Sequence, residues 1–159
     1  MLQEARKLFG TKEVAGSAKN LVILGWAKEV GLAKSFTDDA VSWCGLFMPV
    51  VAKRAGKPVL EGPLWARNWV AFGNAADEAQ LGDVLVFRRG EPSGHVGLYV
   101  GEDYGAYHVL GRNQSDGVSI TRIARDRCIA VRRPTYRKAP VSAKPVHLAA
   151  NGVLSVNEA

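Results

Sequence analysis

Cysteine is scarce in this 159-residue chain. Only Cys44 and Cys128 are present, too few for a disulfide framework. Neither has a Cys or His at ligand spacing, so a zinc domain is excluded and neither a metal nor any other cofactor is expected. Histidine is nearly as rare, with three. No apolar run approaches the ~18 residues of a membrane span. The longest near the start, Leu21 to Trp26, contains Gly25 and is followed at once by Lys28 and Glu29. Met1-Leu2-Gln3-Glu4-Ala5-Arg6-Lys7 lacks the basic-then-apolar order and cleavage box of a Sec signal. There is no internal repeat. What is present is 47% hydrophobic and 23% charged, the balance of an ordinary folded protein of one domain.

The formal net charge is +6, and it is unevenly spread. From Met1 to Thr121, 13 Lys and Arg balance 13 Asp and Glu. From Arg122 to Lys138 seven basic residues (Arg122, Arg125, Arg127, Arg132, Arg133, Arg137, Lys138) face one acid, Asp126. Such a stretch attracts polyanions: nucleic acid, lipid headgroups or an anionic cell wall. It equally fits a strand edge blunted with charge. Alone it does not choose a partner.

The first half reads as helical. Leu2 to Phe9 ends at Gly10; a second helix, capped by Ser17, carries Leu21, Leu24 and Val30 and stops at Gly31. A third runs through Leu46, Phe47, Val50 and Val51 to Ala55, with Gly56 and Pro58 beyond. A short fourth fits Leu64 to Phe72 before Gly73. After Gly82 the period becomes two, which predicts strands over Asp83 to Arg89, His95 to Gly101, Ala106 to Asn113, Val118 to Ile123 and Cys128 to Arg133. From Pro134 onward, Pro140 and Pro145 among Ala, Lys and Ser predict an extended or disordered tail. Helices followed by antiparallel strands spell an α+β domain.

Cys44 falls where a loop becomes the third helix. With Ser42 or Asp39 as N-cap it occupies the first or second turn, where the helix terminus favours thiolate over thiol. The alternative is a buried structural cysteine, the role expected of Cys128 within its strand. Pro49, interior to a helix starting near Ser42, predicts either a kink after Cys44 or a late start. On the strand after Gly94, alternation puts His95, Gly97, Tyr99 and Gly101 on one face, which reads as open and glycine-lined, and Val96, Leu98 and Val100 on the other. A three- or five-residue hairpin loop sets Asn113 opposite His95; a four-residue loop sets Arg112 there instead. An Asn in that place can orient the imidazole. His108 falls near Val100, about 17 Å along the strand at ~3.3 Å per residue, too far to do so.

These segments together resemble the CHAP family (cysteine, histidine-dependent amidohydrolase/peptidase), kin of NlpC-type papain-like cell-wall peptidases. Trp43-Cys44-Gly45-Leu46-Phe47 matches the family's helix start, and Leu81-Gly82-Asp83-Val84-Leu85-Val86-Phe87 its Gly-Asp strand. Gly94-His95-Val96-Gly97-Leu98-Tyr99-Val100-Gly101 matches its Gly-His-Val-Gly strand, and Gly111-Arg112-Asn113-Gln114 the strand of the third polar residue. The likeness runs from about Lys19 to Arg133.

The resemblance implies a papain-like fold, N-terminal helices packed on a five- to six-stranded antiparallel sheet, over a catalytic domain of residues 1–134 with the tail at 135–159. It implies a peptidoglycan hydrolase of the compact phage-lysin type, with Cys44 as nucleophile, His95 as general base and acid, and Asn113 as orienting residue. The partner is then bacterial peptidoglycan, reached as a monomer and without nucleic acid. The stretch from Arg122 to Lys138 would attract the chain to an anionic wall or outer-membrane surface. Such an enzyme is made in the host cytoplasm and leaves by a holin, another non-Sec route or a virion. Gly111 departs from the family, many of whose members carry a Glu there, and no Asp-rich calcium loop is present. Trp43, Trp65, Arg67 and Trp69 are candidate substrate contacts; Trp65 and Trp69, four apart, share a helical face, with core packing the alternative for at least one. Two other functions fit the same residues: an acyltransferase or transglutaminase-like enzyme, and a non-catalytic wall-binding or virion module.

Overall fold

The computed structural model describes residues 1–12, 21–34, 44–113 and 117–155, with the side chains of Cys44 and Asn113 outside that description. Three helices come first: α1 (Leu2–Lys7), α2 (Leu21–Glu29) and α3 (Cys44–Arg54). Gly10, Gly31 and Gly56 follow them with φ of 80°, 77° and 65°, the left-handed geometry that stops a helix and that a Cβ resists. Ser17, the expected cap of α2, lies outside the described residues. The expected fourth helix is a 3-10 helix, Ala66–Ala71.

Pro49 does not interrupt α3. Leu46, Phe47, Met48, Val50 and Val51 around it are all buried. At about 1.5–3 kcal/mol for each large apolar side chain, their burial outweighs a proline defect of about 3 kcal/mol.

The sheet is six-stranded and antiparallel: β1 (Asn74–Ala75), β2 (Val84–Arg88), β3 (Gly94–Glu102), β4 (Ala106–Asn113), β5 (Gly117–Ala124) and β6 (Cys128–Arg133), in the order β1-β6-β2-β3-β4-β5. The α+β class and all five expected strands are present. The addition, β1, has two residues, too few to show alternation.

Both faces of the sheet are buried. Val84, Val86, Val96, Leu98, Leu110 and Val118 join α1, α2 and α3 in one core. Leu85, Phe87, Tyr99, Val109 and Ile123 form a second core on the other face. This is why β2 reads as an unbroken apolar run.

The chain after Pro134 helps to cover the second face. As far as residue 155 it is fastened down by backbone hydrogen bonds. The Leu81 N–H donates to Lys144 O (3.0 Å), Glu102 N–H to Val146 O (2.8 Å), Leu148 N–H to Glu102 O (2.8 Å) and Ser155 N–H to Arg122 O (2.8 Å). Residues 135–155 hold turns, bends and isolated bridges, with neither a helix nor a strand among them.

Candidate active site

His95 is the second residue of β3 and pairs with Phe87 of β2, their rings 6.3 Å apart. The imidazole therefore belongs to the second face, while Val96 and Leu98 pack beneath the helices. Its surroundings correct the expectation of an open, glycine-lined face. His95 is buried and Tyr99 fully so. A Cβ on Gly97 would stand 2.6 Å from Val109 Cγ1 and 2.9 Å from Leu110 O, and the Leu148 side chain occupies the space beside Gly101. These glycines mark tight packing, with no room for a side chain.

The hairpin register departs from a simple count. Gly101 pairs with His108, but beyond an irregularity at Val100 Tyr99 pairs with Val109 and Leu98 with Leu110. Continued toward the start of β3, this register puts Asn113 opposite His95. Gly111 comes between: a Cβ there would lie 3.4 Å from His95 Nε2. Arg112 pairs with Val118, a residue of the core beneath the helices. The carboxamide of Asn113 lies outside the described side chains.

His108 belongs to a separate network. Its Nε2 is 2.8 Å from Asp103 Oδ2, and the same carboxylate accepts from Arg122 Nε (2.8 Å) and Nη2 (3.1 Å) and from the backbone N–H groups of Gly105 (3.0 Å) and Ala106 (3.1 Å). Arg122 above all, then His108 and the turn amides, hold the Asp103 carboxyl well below the usual carboxylate range, against the opposing effect of burial.

Cys44 is the first helical residue of α3. Its thiol lies outside the described side chains, but the backbone fixes where the helix begins. A Cβ on Gly45 would be 2.5 Å from Leu64 O and 2.8 Å from Leu64 Cα, so the helix start lies directly on the main chain of Leu64. Gly45, Trp65, Arg67, Arg89 and His95 all line one cavity.

No family model, curated protein or solved structure matches this chain. Its chemistry is read from the site alone.

The candidate substrate contacts separate. Trp65 is the extended residue before the 3-10 helix and is 62% exposed on the cavity. Trp69 is fully buried, its Nε1–H donating to Pro63 O (3.0 Å) and its ring 5.2 Å from Phe72. It is a core residue, which corrects its placement among substrate contacts. An α-helix brings positions four apart together; a 3-10 helix, with about three residues per turn, turns them away from each other. Arg67 lines the cavity but is already engaged: its guanidinium donates to Ser93 O (2.9 Å), Gly90 O (2.7 Å) and both Glu91 carboxylate oxygens (2.8 and 3.1 Å). It fastens the β2–β3 hairpin and is not free to meet a ligand, a second correction. Trp43 lies outside the described residues. Arg89, unnoticed in the sequence because its neighbours are Arg88 and a glycine turn, also faces this cavity.

Cys128 has the structural role expected of it. It packs against the second core, and burial pushes its thiol up to about 11. Much of the basic stretch is engaged within the molecule. Besides Asp103, Arg122 binds Gly152 O (2.5 Å); Arg127 binds Ser155 O (3.0 Å); Arg132 binds Phe72 O (2.7 Å); Arg133 binds Asp83 (2.9 Å) and Glu78 O (2.8 Å). Arg125 lies over the Tyr107 ring at 4.8 Å. Arg137 and Lys138 are exposed. Among the described residues no group of three His, Cys, Asp or Glu is placed to hold a metal ion, and no helix is long and apolar enough to cross a membrane.

Proposed function

We propose that the chain is a papain-like thiol hydrolase that cleaves an amide bond in bacterial peptidoglycan. The observation that carries this reading is the shared cavity: the start of α3, where Cys44 stands, and His95 open onto the same space. The register supports it by setting Asn113 opposite His95.

The chemistry follows from those positions. The Cys44 thiol gives its proton to His95, and the thiolate, stabilised at the N-terminus of an 11-residue helix, attacks the amide carbonyl. The backbone N–H of Cys44 contributes to the pocket for the oxyanion. His95 returns the proton to the departing amine, then takes one from water, and the resulting hydroxide frees the acyl group from sulfur. Asn113 keeps the ring in the required tautomer. The reaction requires the thiol to reach the imidazole around the end of β3. The net charge of +6 favours approach to an anionic wall, with Arg137 and Lys138 among the groups exposed to it.

The test is clearing of purified sacculi. The unaltered chain should clear them and release new amino groups, identified by mass spectrometry of the fragments, and Cys44→Ala should abolish both while melting as before. A Cys44→Ala protein that still clears sacculi overturns the proposal.

A further inference from the structure

The cavity at the start of α3 contains a cation that the fold does not use. Arg89 directly follows β2, is partly exposed and is among the residues that line the cavity. Among the described residues its guanidinium has neither a hydrogen-bond nor an ion-pair partner. Arg67, the other cation in the lining, neutralises Glu91. No acidic residue among the described ones lines the cavity. One positive charge is therefore left over among the lining residues, which also include the exposed Trp65.

The charge is also held in place. The Arg89 N–H donates to Ser93 O (3.2 Å), closing the hairpin, and the Arg67 side chain ties down Gly90, Glu91 and Ser93. An arginine on a hairpin clamped in this way loses little freedom when it binds an anion, and its planar fork matches a carboxylate.

We infer that Arg89, presented by the Arg67-clamped hairpin in the cavity that Trp65 also lines, is an anion subsite that takes a free carboxylate of the peptide entering this cleft. Arg89 is the specificity-determining residue, Arg67 positions it, and Trp65 offers a flat surface to the adjoining part of the ligand. The subsite rests on the hydrolase proposal only in the choice of a cell-wall peptide as its ligand.

The experiment uses the full chain with Cys44→Ala and two probes whose glutamate γ-carboxyl is blocked as a methylamide: N-acetylmuramoyl-L-alanyl-D-glutamate with its free α-carboxylate, and the same molecule with that group as a carboxamide. Binding is followed by NMR at the Trp65 indole N–H. The acid should bind about tenfold more tightly than the amide, the scale of one charge-assisted pair. Arg89→Gln should remove the difference, Arg89→Lys should keep part of it, and Arg88→Gln, at an exposed neighbour outside the cavity, should leave it intact. Equal binding of both probes by the parent, no response at Trp65 to either, or a preference that survives Arg89→Gln would overturn the inference. Sacculus clearing by the unaltered chain reports separately. Carboxylate preference without clearing sinks the hydrolase and leaves the subsite; clearing without preference does the reverse.

Discussion

The proposed roles of the two cysteines predict different reactivities. Cys128 is pushed up to about 11 by burial, only partly opposed by its contact with Ala130 and by Arg125 nearby. At pH 8 well under a hundredth of it is thiolate, whereas a cysteine at a helix N-terminus beside an imidazole falls below the ~8.5 of a free thiol. Iodoacetamide should therefore label Cys44 alone at pH 8, and Cys44→Ala should remove nearly all labelling, read by intact mass. Equal labelling of both would contradict an activated Cys44. Gly45 is tested differently. A Cβ there meets the Leu64 main chain, which cannot swing aside as a side chain tip would. Gly45→Ala should cost about 1–3 kcal/mol by displacing the helix start, seen as a lower urea midpoint. Single residues were unevenly legible in the sequence. Counting across the hairpin left Asn113 or Arg112 opposite His95 according to loop length, and the irregularity at Val100 that sets the register is not visible in the sequence. The glycines of β3 misled, since a missing side chain looks the same whether it admits a ligand or another chain segment. Arg67 misled because its partner, Glu91, comes from a hairpin distant in sequence.

Among the elements, helices that end on glycine and strands that alternate or run apolar were readable, because local sterics and burial act over a few residues. The 3-10 pitch of Ala66–Ala71 and the two-residue β1 were not, since tertiary contacts decide both. The β3–β4 hairpin holds a device that no local pattern announces. Asp103 lies in the turn and gathers Arg122 from β5 and His108 from β4 around one carboxylate. Because its folded-state pKa is depressed, it contributes stability above the ordinary Asp value of ~3.9 and loses that contribution as the pH falls below it. Asp103→Asn should lower the urea midpoint at pH 7. The gap between variant and parent should then narrow as the pH falls below about 4, leaving the variant with the flatter acid limb. A gap that stays constant from pH 7 to pH 2 would mean that the carboxylate's charge does not stabilise the hairpin.

At the scale of the whole molecule, the sheet has two apolar faces, and among the described residues α1, α2 and α3 join the core on one of them. The N-terminal helices cover the face bearing Val84, Val86, Val96 and Leu98, while residues 135–155 cross the other, where Val146 packs on the second core and Leu148 beside Gly101. The arginines that dominate the charge map help to secure this crossing: Arg122 reaches Gly152 O and Arg127 reaches Ser155 O. Tyr99, buried in the second core, both receives the Val146 N–H (3.0 Å) and donates to Val146 O (3.4 Å). Nothing in the low periodicity of the tail reveals these bonds, which are scattered bridges and form no ladder. The imidazole of His95 belongs to the same face, so the tail and the candidate site share a core. Deleting residues 140–159 should cost roughly 2–4 kcal/mol, about 1 kcal/mol for each backbone bond lost, less the chain entropy regained. The deletion should also raise binding of a hydrophobic dye as the second core opens. If the site works as proposed, sacculus clearing should fall with stability. An unchanged urea midpoint after the deletion would show that the tail lies on the sheet without holding it.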